Sequence, residues 1–123
     1  MSFSEAVRSG FEHYVKFDGR ASRPAYWWWV LFAVLVSIAA NIIDFALIGP
    51  GVISGLVGLA LLLPNLSVSI RRLHDTGRTG WWILIGLLPL IGWIVLLIFY
   101  LQASDPAENQ YGPPMVSGAA PVA

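Results

Sequence analysis

The sequence predicts an all-α integral membrane protein, with three transmembrane helices preceded by a short amphipathic surface helix. Three observations carry that expectation. Hydrophobic residues make up 57% of the chain and charged residues 11%, whereas a soluble domain covers its surface with roughly 25% charge. Apolar runs at about 26–48, 51–70 and 81–101 each approach the ~20 residues that a helix needs to cross ~30 Å of hydrocarbon. Strand-like alternation is absent, and lipid cannot satisfy open backbone groups, which leaves helices as the spanning solution.

The first element precedes the spans. Phe3, Val7, Phe11, Tyr14 and Val15 recur at helical spacing, with Glu5, Arg8, Glu12 and Lys16 largely opposite, as in a helix lying at a membrane surface. Ser2 and Glu5 have the spacing of a capping box. Ser37–Ala39 loosely matches a small-x-small cleavage pattern, but the apolar run continues to Ile48, so it reads as a span and not as a signal peptide.

The first two spans are joined by the tight "IGPG", which makes them an antiparallel hairpin. On the second, Gly51, Gly55, Gly58, Leu62, Asn65 and Ser69 share a helix face, and on the first so do Ser37, Asn41 and Asp44. Small residues let backbones approach, and amides bond across helices. Asn41, Asp44, Gly51, Gly55, Gly58 and Asn65 are therefore expected to pack the hairpin, with Asp44 near Gly55 and Asn41 near Gly58. Pro64 and Pro89 fall inside spans, and Trp93 needs an acceptor for its indole N–H.

Orientation follows from charge. Arg8, Lys16, Arg20 and Arg23 precede the first span, and Arg71, Arg72 and Arg78 follow the second, while "IGPG" and the tail after Leu101 contain no lysine or arginine. The positive-inside rule places the N-terminus and the 71–78 loop in the cytoplasm and the C-terminus on the periplasmic side. A tail on the cytoplasmic side would require one run to fold back, with Pro89 as the turn. Residues 1–114 read as one multi-pass domain and 115–123, rich in proline, glycine and alanine, as a disordered tail.

The charges gather in "RRLHDTGRTGWW". Gly77 is expected to end the second helix, leaving the arginines at a C-terminus that favours cations. Asp75 has the spacing to bridge Arg71 and Arg78. Arg20, Arg23, Arg71, Arg72, His74, Asp75 and Arg78 are the expected residues for lipid headgroups or a partner. The stretch echoes "DGRASRPAYWWW": each has an acid, Gly-Arg, small or hydroxyl residues, then tryptophans. Ser22 or Thr79 is placed to cap the following helix.

Several classes are excluded or disfavoured. The zero net charge argues against nucleic acid. The lack of cysteine removes thiolate metal sites and cysteine nucleophiles, and His13 and His74 lack metal-ligand spacing on one helix. His74 and Asp75 are sequence neighbours with no nucleophile elbow, zinc motif or phosphate loop beside them. No catalytic residue, cofactor or metal is expected.

"FDGRASRPAYWWWVLF", "RRLHDTGRTGWW", "LLPLIGWIVLLIFYLQ" and "PAENQYG" together resemble a bacterial inner-membrane family known only as domain of unknown function 805. The likeness covers about 14–114. It maps onto Gly19, Arg20, Ser22, Arg23, Tyr26 and Trp27, then Arg71, Arg72, Leu73, His74 and Asp75. It continues through Trp82, Pro89, Gly92 and Trp93 to Asn109, Tyr111 and Gly112. Ala25 stands where the family often has an acid, and Gln110 where it often has a base. The resemblance implies a small multi-pass membrane protein and no activity.

The expected function is a non-enzymatic inner-membrane module that binds a partner protein or anionic lipid through its cytoplasmic basic collar. Membrane lipids, a membrane protein or a second copy of the chain are its expected partners. The alternative is a small oligomeric channel or transporter component using the polar residues around Asn41, Asp44 and Asn65.

Overall fold

Two helices dominate the computed structural model, which describes residues 2–49 and 51–114. In chain order the elements are α1 (Phe3–Glu12), α2 (Arg23–Ile43) with a π-helical turn (Asp44–Ile48), α3 (Val52–Asp75), a 3-10 helix (Gly80–Leu87) and α4 (Ile91–Leu101). Among the described residues there is no strand. The expected disordered tail at 115–123 lies outside the described residues.

The capping box forms at α1: the Ser2 hydroxyl accepts from Glu5 N at 3.2 Å, and Ser2 N donates to Glu5 Oε1 at 2.9 Å. The apolar face of α1 packs along the first third of α2. Phe3 meets Trp28 edge-on with centroids 5.7 Å apart, and Phe11 meets Trp29 and Phe32 at 5.2 and 5.7 Å. Gly10 permits this approach, since a Cβ there would lie 2.2 Å from the Trp29 ring. The segment after α1 is tied to α3, where Ser67 Oγ donates to His13 O at 2.7 Å and the Tyr14 hydroxyl donates to Ala60 O.

Ser22 caps α2 by accepting from Ala25 N at 3.3 Å. The helix and its π turn give an apolar stretch of 25 residues (Arg23–Leu47), and α3 gives one of 24. At 1.5 Å per residue each is about 36 Å long, sufficient to cross a bilayer. Only 11% and 22% of their most apolar windows are buried by the chain itself. That separates them from the core helices of a soluble protein, whose apolar side chains are covered by protein. The interior of the molecule sits toward the charged end, around Tyr26, Trp29, Leu61, Val68, Leu73, Leu96 and Tyr100.

Asp44 joins the two long helices. Its carboxylate accepts from Ile53 N at 2.6 Å and Ser54 N at 2.9 Å, and so satisfies orphan donors at the start of α3. Gly51 holds the left-handed conformation (φ 87°) that the turn requires. The expected glycine seam is corrected here. Gly55 and Gly58 face open space, with nothing within 4 Å of an added Cβ, because the helices meet instead through larger side chains nearer the charged end. Trp29 Nε1 donates to Asn65 Oδ1 at 2.7 Å across α2 and α3, whereas Asn41 bonds back to Ser37 O on its own helix at 2.8 Å.

The end of α3 is a Schellman motif, with Gly77 N bonding His74 O at 3.0 Å and Arg78 N bonding Leu73 O at 2.9 Å. Gly77 has the positive φ (82°) that the motif needs.

The third apolar run does not form the expected spanning helix. It breaks after the 3-10 helix, where Leu88 is extended ahead of Pro89, as the steric demand of a following proline favours. Leu90 then adopts φ 69° and ψ −64°, and Ile91 N bonds Pro89 O at 2.8 Å, which is a γ-turn that reverses the chain. The arms pack closely: Trp93 Nε1 donates to Gly86 O at 3.0 Å, and the Trp82 and Phe99 rings meet at 5.5 Å. Gly92 lies so near the Ile85 carbonyl that an added Cβ would sit 1.7 Å from its oxygen. The 11 residues of α4 extend about 16 Å, half the hydrocarbon thickness. Both ends of the run therefore sit at the same end of the bundle. The chain after Leu101 lies beside Arg20 and Asp75, which removes the third crossing on which the expected periplasmic C-terminus rested.

Candidate functional site at the charged end

The charged residues of the loop, the pre-α2 segment and the tail converge on Asp75. Arg20 Nε bonds Asp75 Oδ1 at 2.9 Å, and Arg72 Nη1 bonds Asp75 Oδ2 at 2.6 Å, with all three side chains fully buried. Ser104 Oγ donates to the same Oδ2. Asp75 is the last residue of α3, and Arg72 reaches it from one turn earlier. Arg20 arrives from 55 positions away, led in by Gly19 in a left-handed conformation (φ 89°).

Arg20 uses every donor of its guanidinium. Besides Nε, Nη1 bonds Ala107 O at 2.8 Å and Gly112 O at 3.1 Å, while Nη2 bonds Asp75 O at 3.2 Å and Asp105 O at 2.5 Å. Arg72 does comparable work one layer deeper, with Nε on Tyr100 O at 3.1 Å, Nη1 on Ala21 O at 3.4 Å and Nη2 on Gln102 O. Trp27 Nε1 also donates to Tyr100 O, at 3.2 Å. The two arginines thus tie the segment before α2, α3, the end of α4 and the tail into one knot. Two cations against one carboxylate leave a net positive charge, which the ring of carbonyl dipoles compensates.

His74 closes the other side. Its Nδ1 stands 2.9 Å from Gly19 O, and an acceptor there makes Nδ1 the protonated nitrogen. Tyr111 stacks flat on the imidazole, with centroids 3.9 Å apart and planes 1° from parallel. Asn109 donates to His74 O at 3.1 Å and accepts from Tyr111 N at 2.9 Å. The Asn109–Gly112 turn is closed by backbone bonds of 3.1 and 3.0 Å. Arg71 lies buried with Nε on Ser67 Oγ at 3.2 Å, and its Nη2 has no partner among the described residues.

The headgroup or partner residues expected from sequence therefore divide. Arg20, Arg71, Arg72, His74 and Asp75 are buried, too deep to meet a headgroup. Asp75 bridges Arg72 and Arg20 in place of the expected Arg71 and Arg78. Arg23 and Arg78 stand at the rim. Arg23 Nη1 touches Leu101 O at 3.3 Å. Arg78 is held by Gln102 Oε1 at 2.7 Å and lies 3.9 Å above the Phe99 ring. Neither has a salt bridge among the described residues, where both ion pairs use Asp75. The residue after each cation, Pro24 or Thr79, lines a tryptophan-walled groove. One, of about 240 Å³, lies among Pro24, Trp27, Trp28 and Leu31, and the other, of about 310 Å³, among Thr79, Trp81, Trp82 and Ile85.

Sequence reasoning missed Gln102, Ser104 and the acceptor carbonyls of the tail. The repeated Gly-Arg and the "NQYG" motif were the available signals. A further groove of about 380 Å³ runs along α2 and α3 past Trp29, Ser37, Asn41, Asn65 and Ser69. Asp44 does not line it.

Residues 14–113 match the family described as "Protein of unknown function (DUF805)". The chain is 42% identical over 105 residues to the inner membrane protein YhaI of Escherichia coli K12, covering 85% of this chain and 89% of that one. It is 38% identical over 107 residues to the inner membrane protein YhaH of the same strain, covering 83% and 88%. The uncharacterized protein YiiR, also of that strain, is 34% identical over 86 residues, covering 65% of this chain and 53% of its own length. No solved structure matches.

Proposed function

The chain belongs to the DUF805 family of proteins of unknown function, and on that premise we propose that it is a non-enzymatic module of the bacterial inner membrane whose charged end binds anionic lipid. Both termini lie in the cytoplasm in this reading. All seven Lys and Arg residues belong to the chain up to the first residue of α2 or to that from the end of α3 to the 3-10 helix, and the positive-inside rule sends that end to the cytoplasm. The relatives' description as inner membrane proteins supports the compartment.

The observation that carries the reading is the division of the arginines. The knot consumes Arg20 and Arg72 internally, whereas Arg23 and Arg78 are left at the rim without a carboxylate and beside tryptophan-lined grooves. An anionic leaflet supplies the missing charge at that level, worth about 1 kcal/mol per cation near the surface. The absence of a role for chemistry has its own support, since Asp75 is committed to two arginines and a serine, and Tyr111 covers one face of His74. The transport alternative finds less support, because Asp44 caps α3 and lies off the lateral groove.

Reconstitution into vesicles of phosphatidylglycerol mixed with phosphatidylcholine tests the reading. The protein should enrich phosphatidylglycerol around itself, and a double Arg23→Gln, Arg78→Gln variant should lose that enrichment while keeping its fold. Equal enrichment by parent and variant would sink the proposal. For sidedness, alkaline phosphatase fused after Pro114, so that the knot is kept whole, should be inactive, and activity there would place the tail outside.

A further inference from the structure

We propose that Arg78, Thr79, Trp81 and Trp82 form a discrete site for one anionic phospholipid, with its phosphodiester on the Arg78 guanidinium and an acyl chain in the groove beneath. The inference rests on the lipid-binding reading above and narrows it to one place and one mode of contact.

Arg78 is a preorganised cation. Gln102 Oε1 takes Nη1 at 2.7 Å, and Phe99 supports the guanidinium plane at 3.9 Å. Nε and Nη2 make no hydrogen bond among the described residues, so one edge of the planar fork is free. Two N–H groups on such an edge match two oxygens of a phosphate, a geometry an ammonium cannot offer. Thr79 is the next residue. It occupies the N-cap position of the 3-10 helix, yet its hydroxyl makes no capping bond and remains free to donate.

The groove begins at Thr79 and continues between Trp81, Trp82 and Ile85, with about 310 Å³ of space. Trp82 reaches the edge of Phe99, the ring that carries Arg78, so the cationic and apolar parts are one structure. Trp81 is 78% exposed and Trp82 44%, and exposed indoles of this kind belong at a bilayer interface. A phospholipid fits both parts together, whereas a free phosphate would use only the upper one. The Arg23 groove lacks two of these features. Arg23 has no aromatic support, and the hydroxyl corresponding to Thr79, that of Ser22, already caps α2.

Native mass spectrometry of the purified full chain, titrated with phosphatidylglycerol or phosphatidylcholine of equal chain length, tests the site. The parent should retain phosphatidylglycerol more tightly. Arg78→Gln and Arg78→Lys should each weaken that retention by about tenfold, the scale of one charge-assisted hydrogen-bonded contact. Arg8→Gln, which removes the same charge from the exposed side of α1, should leave it unchanged. Trp81→Ala should weaken retention of both lipids, and because that ring is mostly exposed its loss leaves the fold intact. A parent that prefers phosphatidylglycerol with Arg78→Gln and Arg8→Gln behaving alike would overturn the site and leave diffuse attraction standing. No preference in the parent would overturn both readings. Displacement of bound phosphatidylglycerol by millimolar inorganic phosphate would make this a free-anion site and overturn the lipid assignment.

Discussion

Arg20 and Asp75 stand 55 positions apart in the chain and 2.9 Å apart in space, with both side chains fully withdrawn from solvent. Among the described residues Asp75 is the only carboxylate paired with either arginine, so its removal leaves Arg20 and Arg72 as buried unpaired cations. Breaking one partner of a buried ion pair typically costs about 3–5 kcal/mol. Asp75→Asn should therefore lower the melting temperature of the detergent-solubilised protein sharply and expose the 102–112 segment to protease. Arg20→Lys should cost about 2 kcal/mol, since three donors cannot serve five acceptor contacts. A melting temperature unchanged by either substitution would mean that the knot does not hold the tail.

Gly55 and Gly58 belong to the bundle's open surface, whereas Gly92 sits in a backbone contact. Gly55→Leu and Gly58→Leu should each change stability by less than about 0.5 kcal/mol, as is usual where a new side chain meets nothing. Gly92→Ala has no such latitude, because the Ile85 carbonyl it would strike is backbone. It should cost at least about 3 kcal/mol or force the hairpin apart. Comparing the three in one thermal assay decides the matter, and similar losses at all three would restore the seam between α2 and α3.

The contrast between those glycines marks what was legible in the sequence. Local features were. The Ser2–Glu5 box, the Ser22 cap and the stop at Gly77 each depend on neighbours within four or five residues, and each formed. The 81–101 run misled because hydropathy depends on composition and not on direction. A run that reverses at Leu90 is as apolar as one that crosses. Pro89 was read as lying inside a span and as the turn only if the tail were cytoplasmic, and Gly86 and Gly92 acquire meaning only when the arms face each other. The charged site failed for a related reason. Helical spacing offered Arg71 and Arg78 to Asp75, whereas the buried partners are Arg72, at i−3, and Arg20 from another segment. The tail looked polar and irregular, yet its carbonyls are the acceptors that make two buried guanidiniums tolerable.

Leu90 carries backbone strain, with φ 69° in a non-glycine residue at the centre of a γ-turn. Such a conformation costs about 1–3 kcal/mol, and glycine adopts it more readily. Leu90→Gly should raise stability by about 1 kcal/mol, the net of relieved strain against a more flexible unfolded chain. The side chain itself is exposed to the surroundings, so little packing is lost. Destabilisation by the glycine would argue that the reversal does not occur at this residue.

Asp44 offers the sharpest separation between a structural and a transporting role. Its two oxygens accept from Ile53 and Ser54 separately, at 2.6 and 2.9 Å. An alanine would orphan both N–H groups, and loss of such a cap costs about 1–2 kcal/mol. Asparagine keeps one acceptor but turns an NH₂ toward the second donor, so it should lie between alanine and the parent. Serine, a good cap with no charge, should also be intermediate. The order Asp, then Asn and Ser, then Ala is what capping predicts for thermal stability, and it tracks acceptors at the helix start and not charge. A carboxylate that relays ions would respond differently: Asn and Ser would abolish flux alike, whatever their stability. Vesicles loaded with a pH-sensitive dye should show the same permeability for parent, Asn and Ser forms. Proton uptake in the parent that disappears in both variants would overturn the capping account.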